Sequence, residues 1–387
     1  MTRVGIIGVG LTAFGEFWEK GLRDLIVEAG TAAIKDAGIE GAAIDAGYVG
    51  SMSPGRFIGQ EHIGALVSDY VGLTGIPATR VEAACASGGL ALRQAYLSIK
   101  AGENKVVVAG GVEKMTDVSV ERAMVTLGGA GDQEWELFHG ATFPGLYALM
   151  ARRHMLEYGT TEEQLAAVAV KNHKNGALNP KAQYQSEVTL EQVMASSPVA
   201  TPLKLLDCSP ITDGAAVVIL AEEATARKFC DNPVWIDAST QASDTLALHD
   251  RKSLCQTQAA ITAGKKAYAQ AGIKPSDLDF AEVHDCFTIA EIMAIESLGF
   301  CEMGKGGKYT EDGNTALDGE IPVNTSGGLK SKGHPVGATG IAQAIEATYQ
   351  LRGTADKRQI KDAKIGLTHN VGGSGATCAV HILRRDD

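Results

Sequence analysis

The sequence lacks any apolar run near the ~18 residues needed to cross a bilayer. It also lacks a charged-then-apolar leader, since Met1 is followed almost at once by the strand-like Val4-Gly5-Ile6-Ile7-Gly8. No membrane span is expected, and a cytoplasmic address is. Paired cysteines are missing too. The seven cysteines are an odd number without a Cys-x-x-Cys among them, which argues against a disulfide framework and against a zinc site. Basic charge is short: 35 Lys and Arg stand against 46 Asp and Glu, a net charge of -11. A nucleic acid partner is not expected, because its phosphates need a basic surface. A local basic cluster could still hold a small phosphate-bearing ligand. Arg152, Arg153, Lys171, His173 and Lys174 are candidates, although for any one of them a solvated helix face is the commoner explanation.

What is present is a chain of 387 residues, 45% hydrophobic and 21% charged, long enough for two or three domain-sized units around a large core. Short β-branched runs (Val4 to Ile7, Tyr48-Val49, Val81, Val106 to Ala109) alternate with helical patterns (Leu22 to Ala37, Ile63 to Val71, Gly88 to Lys100). That rhythm predicts an α/β fold with a mostly parallel sheet. It breaks from about Thr116 to Ser209, where helical pieces near Gly145 to Tyr158 and Thr161 to Asn175 sit among irregular segments, so an inserted loop domain is expected over 116–209. The later chain repeats the earlier logic. Ala37-Gly38-Ile39 before Ile44-Asp45 is matched by Ala271-Gly272-Ile273 before Leu278-Asp279, and Gly214 to Val218 echoes Gly375 to Val380. Two related halves follow, 1–115 completed by 210–228, and 229–387. A site at their junction would draw on both.

Four segments carry candidate chemistry. Val81 to Leu90 places Cys85 among small residues at a helix opening, where the helix dipole would lower the thiol pKa and make a nucleophile. Taken alone, such a cysteine is more often a small buried hydrophobe. Asn324 to Gly340 presents His334 in a turn of glycines and Pro335 before a helix, placed to activate a thiol or to donate to a carbonyl oxygen. Glu282-Val283-His284-Asp285-Cys286-Phe287 and His369-Asn370-Val371-Gly372-Gly373-Ser374-Gly375 each end a strand, where sites of open α/β sheets usually lie.

Cys85 in its small-residue setting, Gly333-His334-Pro335 with Gly337-Ala338-Thr339-Gly340, and Asn370-Val371-Gly372-Gly373 together resemble the ordered signature of the thiolase superfamily, over nearly the whole chain. His284-Asp285-Cys286-Phe287 stands where many biosynthetic thiolases have Asn-Glu-Ala-Phe, so the resemblance is to archaeal-type and sterol-carrier-protein-type members. It implies two βαβαβαββ halves in five layers (αβαβα) with an inserted loop domain. It further implies Cys85 as the acylated nucleophile, His334 as its activator, and His334 with His284, through a water, as an oxyanion hole for a thioester enolate. The N–H groups of Cys85 and Gly372 would form the second hole. Asn370 occupies the place of the usual second catalytic cysteine and cannot shuttle a proton, so Cys286 would supply that thiol.

The resemblance implies coenzyme A and acyl-CoA as substrates with no permanently bound cofactor and no metal. It also implies a homodimer or larger assembly and a small OB-fold partner of acyl-CoA-binding type. The substrate is left open between acetoacetyl-CoA and a bulkier degradative 3-oxoacyl-CoA such as benzoylsuccinyl-CoA. Non-thiolytic relatives, ketoacyl synthase-like or retro-aldolase, are the alternative, and an idle acyl-CoA-binding subunit would be expected to lose Cys85 or His334. Gly8-Val9-Gly10-Leu11-Thr12-Ala13 fits a loose dinucleotide fingerprint, but no acidic residue ends the second strand near Tyr48 to Gly50.

Overall fold

The computed structural model describes residues 2–386. Its strands are β1 (Val4–Leu11), β2 (Ala46–Gly50), β3 (Ala78–Val81), β4 (Val106–Glu113), β5 (Pro198–Ala200), β6 (Leu203–Lys204), β7 (Gly214–Glu222), β8 (Val234–Ser243), β9 (Phe280–Glu282), β10 (Ile365–Gly372) and β11 (Thr377–Arg384). All but β5 and β6 join one sheet in the order β3-β2-β4-β7-β1-β8-β11-β10-β9. The order reads as two halves, β3-β2-β4-β7-β1 and β8-β11-β10-β9, with Val323 bridging Ala281 beyond β9 where the first half has a fifth strand. The halves are not separate sheets. Gly5 and Ile6 of β1 pair with Trp235 and Val234 of β8 and make the ladder continuous.

The sheet is less parallel than the sequence rhythm suggests. Parallel pairing is confined to β2 with β3, β2 with β4, and β9 with β10, while the middle of the sheet is antiparallel. For one of these pairs connectivity is the reason: residues 373–376 join β10 to β11, and a link that short permits only an antiparallel hairpin. The repeat seen in the sequence corresponds to real ends. The helices Leu22–Ala37 and Gln258–Ala271 both stop at a left-handed glycine, Gly38 (φ 62°) and Gly272 (φ 67°).

Layering follows from three apolar clusters. The middle one buries Leu92, Tyr96 and Ile99 of the helix Ser87–Lys100 and Ile341 and Ile345 of Thr339–Arg352 against strands of both halves. One flanking cluster seals Leu22–Ala37 on the first half through Leu25, Ile26 and Ala33, and the other seals Gln258–Ala271 on the second through Ala260 and Ala267. Two helices between two sheet halves, with helices outside each, give αβαβα. Between β4 and β7, adjacent antiparallel strands, the chain leaves the sheet and forms the helices Phe143–Tyr158 and Glu162–Ala177 and the β5–β6 hairpin.

The glycines of the dinucleotide-like motif lie inside β1. A Cβ on Gly8 would sit 2.4 Å from the Ala33 carbonyl oxygen and one on Gly10 2.0 Å from that of Ala29. Their smallness lets the helix Leu22–Ala37 lie on the strand, so they are packing residues and not a phosphate turn.

Candidate active site

Cys85 is set by a tight turn between β3 and the helix Ser87–Lys100. Ser87 Oγ accepts from the Ala83 N–H (2.9 Å) and donates to the Ala84 carbonyl (2.6 Å). Ala84 is held at φ 52°, a conformation that residues with a Cβ rarely adopt. The helix opening was expected to lower the thiol pKa, but the reverse holds. Burial pushes Cys85 up to about 12, only partly offset by the Gly373 N–H that bonds its sulfur, and the Glu113 and Glu82 carboxylates add to the rise. Desolvation of a thiolate here outweighs the partial charge of the helix end. The resting nucleophile is a thiol and needs a base.

That base is beside it. Gly333, at φ 112°, turns the chain where no other residue would be unstrained, and His334 follows. Buried carboxylates hold the loop: Asp285 accepts from the N–H groups of Leu329 (2.7 Å) and Lys330 (3.2 Å), Glu282 from that of Ser326 (3.0 Å) and Glu113 from that of Gly337 (3.1 Å). His334 Nδ1 lies 2.7 Å from Thr339 Oγ1, whose hydroxyl donates to the Pro335 carbonyl at 3.0 Å. A hydroxyl has one hydrogen, so Oγ1 must accept from Nδ1–H. The lone pair is then on Nε2, which has no protein partner among the described residues. Burial, reinforced by the Lys332 charge, holds this imidazole down to about 3, so it is a neutral acceptor at pH 7.

His284 meets His334 edge to face at 5.0 Å, and one side-chain ligand atom from each of Cys85, His284 and His334 lies within 4.8 Å of the others. Two imidazoles and a thiol so spaced could also ligate a zinc ion, a use that would tie up the nucleophile that faces the base. Burial, then the charges of His334 and His369, keep His284 well below the usual histidine value.

Cys85, Cys286 and His334 line one cavity of about 350 Å³, walled by Met115, Met124, Phe143, Tyr147, Phe287 and other apolar groups. Cys286 is buried, and burial, followed by the charges of Cys85 and Asp285, raises its thiol well above the ordinary range, so it too rests protonated. Asn370 stands behind Cys85, bonded to it and to His284.

Three contributors escaped the sequence reading. Tyr147 stacks on Phe287 at 4.6 Å and donates to the Gly373 carbonyl at 3.1 Å. The Gly373 N–H points at the Cys85 sulfur, and Gly372 beside it lies close against the Ala83 carbonyl. Glu113 accepts from Met52 as well as Gly337 and is pushed up to about 7 by burial. Tyr147 and Glu113 carry no motif, and the glycine run that contains Gly373 does not say where its amide points, so only the fold reveals these roles.

The candidate phosphate cluster does not assemble. Lys171 is buried in an ion pair with Glu291 (2.8 Å), and His173 is buried with Nδ1 on the Ser186 carbonyl. Arg153 is exposed and paired with Glu157, and Arg152 and Lys174 face solvent. The helical spacing that gathered these residues in sequence spreads them around two helices. Among the described residues, neither Lys nor Arg lines the Cys85 cavity.

The chain matches known families over nearly its whole length. The family described as thiolase, N-terminal domain, matches residues 4–224, and that described as thiolase C-terminal domain-like matches 240–385. An acetyl-CoA acetyltransferase of Methanothermobacter thermautotrophicus is 58% identical over 100% of both chains. Sterol carrier protein 2 of Bos taurus is 37% identical over 97% of this chain and 71% of that protein. A solved structure described as an Ltp2-ChsH2(DUF35) aldolase superposes with TM-score 0.87 at 28% identity, over 99% of this chain and 98% of that one.

Proposed function

The chain belongs to the thiolase family, and from that membership we propose that it cleaves and forms 3-oxoacyl-CoA reversibly, with acetoacetyl-CoA and acetyl-CoA as its substrates. One observation carries the reading: a thiol and a neutral imidazole with its lone pair free line an apolar cavity, with a second imidazole within 4.8 Å of both. The acetyl-CoA acetyltransferase relative supports the short substrate. So does the cavity, which must seat the acyl group and the pantetheine arm together.

In thiolysis the Cys85 proton passes to His334 Nε2 as sulfur attacks the C3 carbonyl of the 3-oxoacyl-CoA. Donors around the new oxyanion, the N–H groups of Cys85 and Gly372 with Gly373 beside them, stabilise the tetrahedral adduct. The C2–C3 bond breaks, leaving the acyl group on Cys85, and acetyl-CoA departs as its enolate, whose oxygen faces His334, now protonated, and His284. Cys286 gives its proton to the enolate carbon. The thiol of a second CoA then attacks the acyl-Cys85 thioester, giving its proton to the Cys286 thiolate, while His334 returns its proton to the departing Cys85 sulfur. Synthesis runs the same steps backwards.

Because no Lys or Arg lines the cavity, the CoA phosphates are held outside it. A second copy of the chain and a small OB-fold partner are the proposed sources, and the exposed Val120, Val125, Trp135 and Phe138 on the excursion between β4 and β7 offer apolar surface for either. The aldolase likeness defines a second reading, carbon–carbon cleavage without an acyl-enzyme. Mass spectrometry after mixing with acetyl-CoA decides: an acetyl group on Cys85, with thiolysis of acetoacetyl-CoA faster than of branched or aromatic 3-oxoacyl-CoAs, supports the proposal. Cleavage activity with no acetyl adduct supports the aldolase.

A further inference from the structure

Asn370 takes the place of a catalytic cysteine without being able to move a proton, yet its side chain is almost fully bonded. The Gly89 N–H donates to Oδ1 at 3.0 Å. Nδ2 donates to the Cys85 carbonyl at 3.0 Å and lies 3.3 Å from His284 Nδ1. The amide is enclosed, since a Cβ on Gly340 would fall 2.3 Å from Oδ1 and one on Gly89 2.8 Å. Its orientation follows from its neighbours alone. A backbone N–H can only donate, so Oδ1 must face Gly89, and a backbone carbonyl can only accept, so the NH₂ must face Cys85.

One hydrogen of that NH₂ is used on Cys85. The other meets His284 Nδ1, which must therefore be the unprotonated nitrogen, and the ring proton is confined to Nε2. Nε2 is buried with no protein partner among the described residues. Protonating both nitrogens would set N–H against N–H inside the protein, beside His334 and His369. The His284 main-chain N–H donates to His369 Nδ1 at 3.3 Å, which fixes the backbone that carries the ring.

We propose that Asn370 is a positioning residue that holds His284 in its Nε2–H tautomer, so that the site pairs an imidazole offering a lone pair, His334, with one offering a hydrogen, His284. The inference rests on the thiolase reading for its consequence and on the hydrogen-bond directions for its substance. With both rings in the same tautomer, the site would have two bases and no neutral donor for the enolate oxygen, or two donors and no base for Cys85. Asn370 thus acts through His284 on carbon–carbon cleavage, while His334 separately serves Cys85.

The test reads the tautomer first, in the resting protein and without substrate. In ¹⁵N-histidine-labelled protein, with the His284 signals identified by their loss in H284N, the expected pattern is Nε2 protonated and Nδ1 bare. Nδ1 protonated in the parent overturns the proposal whatever the enzyme's activity, and leaves the thiolase reading untouched. In N370D the carboxylate accepts from the ring, so the signals should invert to Nδ1–H, and unchanged signals would overturn the proposal. In N370A, thiolysis of acetoacetyl-CoA should fall at least tenfold more than acetylation of Cys85 by acetyl-CoA. An equal fall in both would reduce Asn370 to a support for the Cys85 turn.

Discussion

At the scale of single residues, the site works with neutral groups. Cys85 is held near 12 and His334 near 3, so neither changes charge between pH 5 and 9. The parent's acylation rate should be nearly flat over that interval as far as these two groups set it. Replacing His334 with Ala removes the acceptor and leaves only the thiolate fraction, which rises about tenfold per pH unit below the thiol pKa. Acylation of His334→Ala should therefore be slow at pH 7 and climb steeply to pH 10. A flat profile in stopped-flow acetylation would mean that the donor role of His334, and not its basicity, limits the step. Cys85→Ala should take no acyl group at all in intact-mass measurements. Cys286→Ala should still acetylate Cys85 yet lose cleavage and condensation by orders of magnitude, because the carbanion carbon then has no proton source. Condensation within a few-fold of the parent would make Cys286 a packing residue and His284 the next to examine.

These side chains were legible in the sequence because they carry their chemistry in their identity and lie in short distinctive runs. The thiol's protonation state was misread because burial is a property of everything packed around Cys85, none of it adjacent in sequence. Tyr147 and Gly373 stayed hidden for the same reason, lying 226 residues apart yet joined by one hydrogen bond.

At the scale of elements, helices were read closely: the pattern from Leu22 to Ala37 has the bounds of the observed helix, and Gly88 to Lys100 misses only Ser87. Periodicity reports which face is buried, and the helix Leu22–Ala37 packs one such face on the sheet. Strand direction is not encoded in periodicity, so the antiparallel middle of the sheet was missed. The Gly8 and Gly10 contacts give a direct test of element packing. In Gly10→Ala the new methyl has nowhere to go except into the main chain of Ala29 and Ala33, and overpacking of this kind costs roughly 1 to 3 kcal/mol. A lower denaturation midpoint with an unchanged slope is expected. A midpoint equal to the parent's would show that strand and helix have slack. Calorimetric titration with a nicotinamide dinucleotide should give no heat, since the glycines are filled by the protein's own helix.

At the scale of the whole molecule, the sheet has two unlike edges. Beyond β9, Val323 pairs with Ala281 and closes the ladder. Beyond β3 nothing pairs among the described residues, and Ala78–Val81 are only partly covered. Gly47 N–H bonds the Pro77 carbonyl and Ser51 N–H that of Val81, so alternate residues Ala78 and Arg80 turn their own N–H and C=O groups outward. An open edge of this kind is a template for another strand. The partner argued for is a second copy, whose β3 would run antiparallel across a two-fold axis and complete the sheet in both. Cys85 follows β3 by four residues, so the same contact would steady the turn that holds the nucleophile. Light scattering should give a mass well above the 40.4 kDa of one chain. Ala78→Pro removes an outward N–H without touching the bonds to β2, and should shift the protein toward monomer at low micromolar concentration while its far-UV spectrum stays that of the parent. A parent that stays at 40.4 kDa, or a variant as dimeric as the parent, would mean that β3 is covered by something other than its own copy.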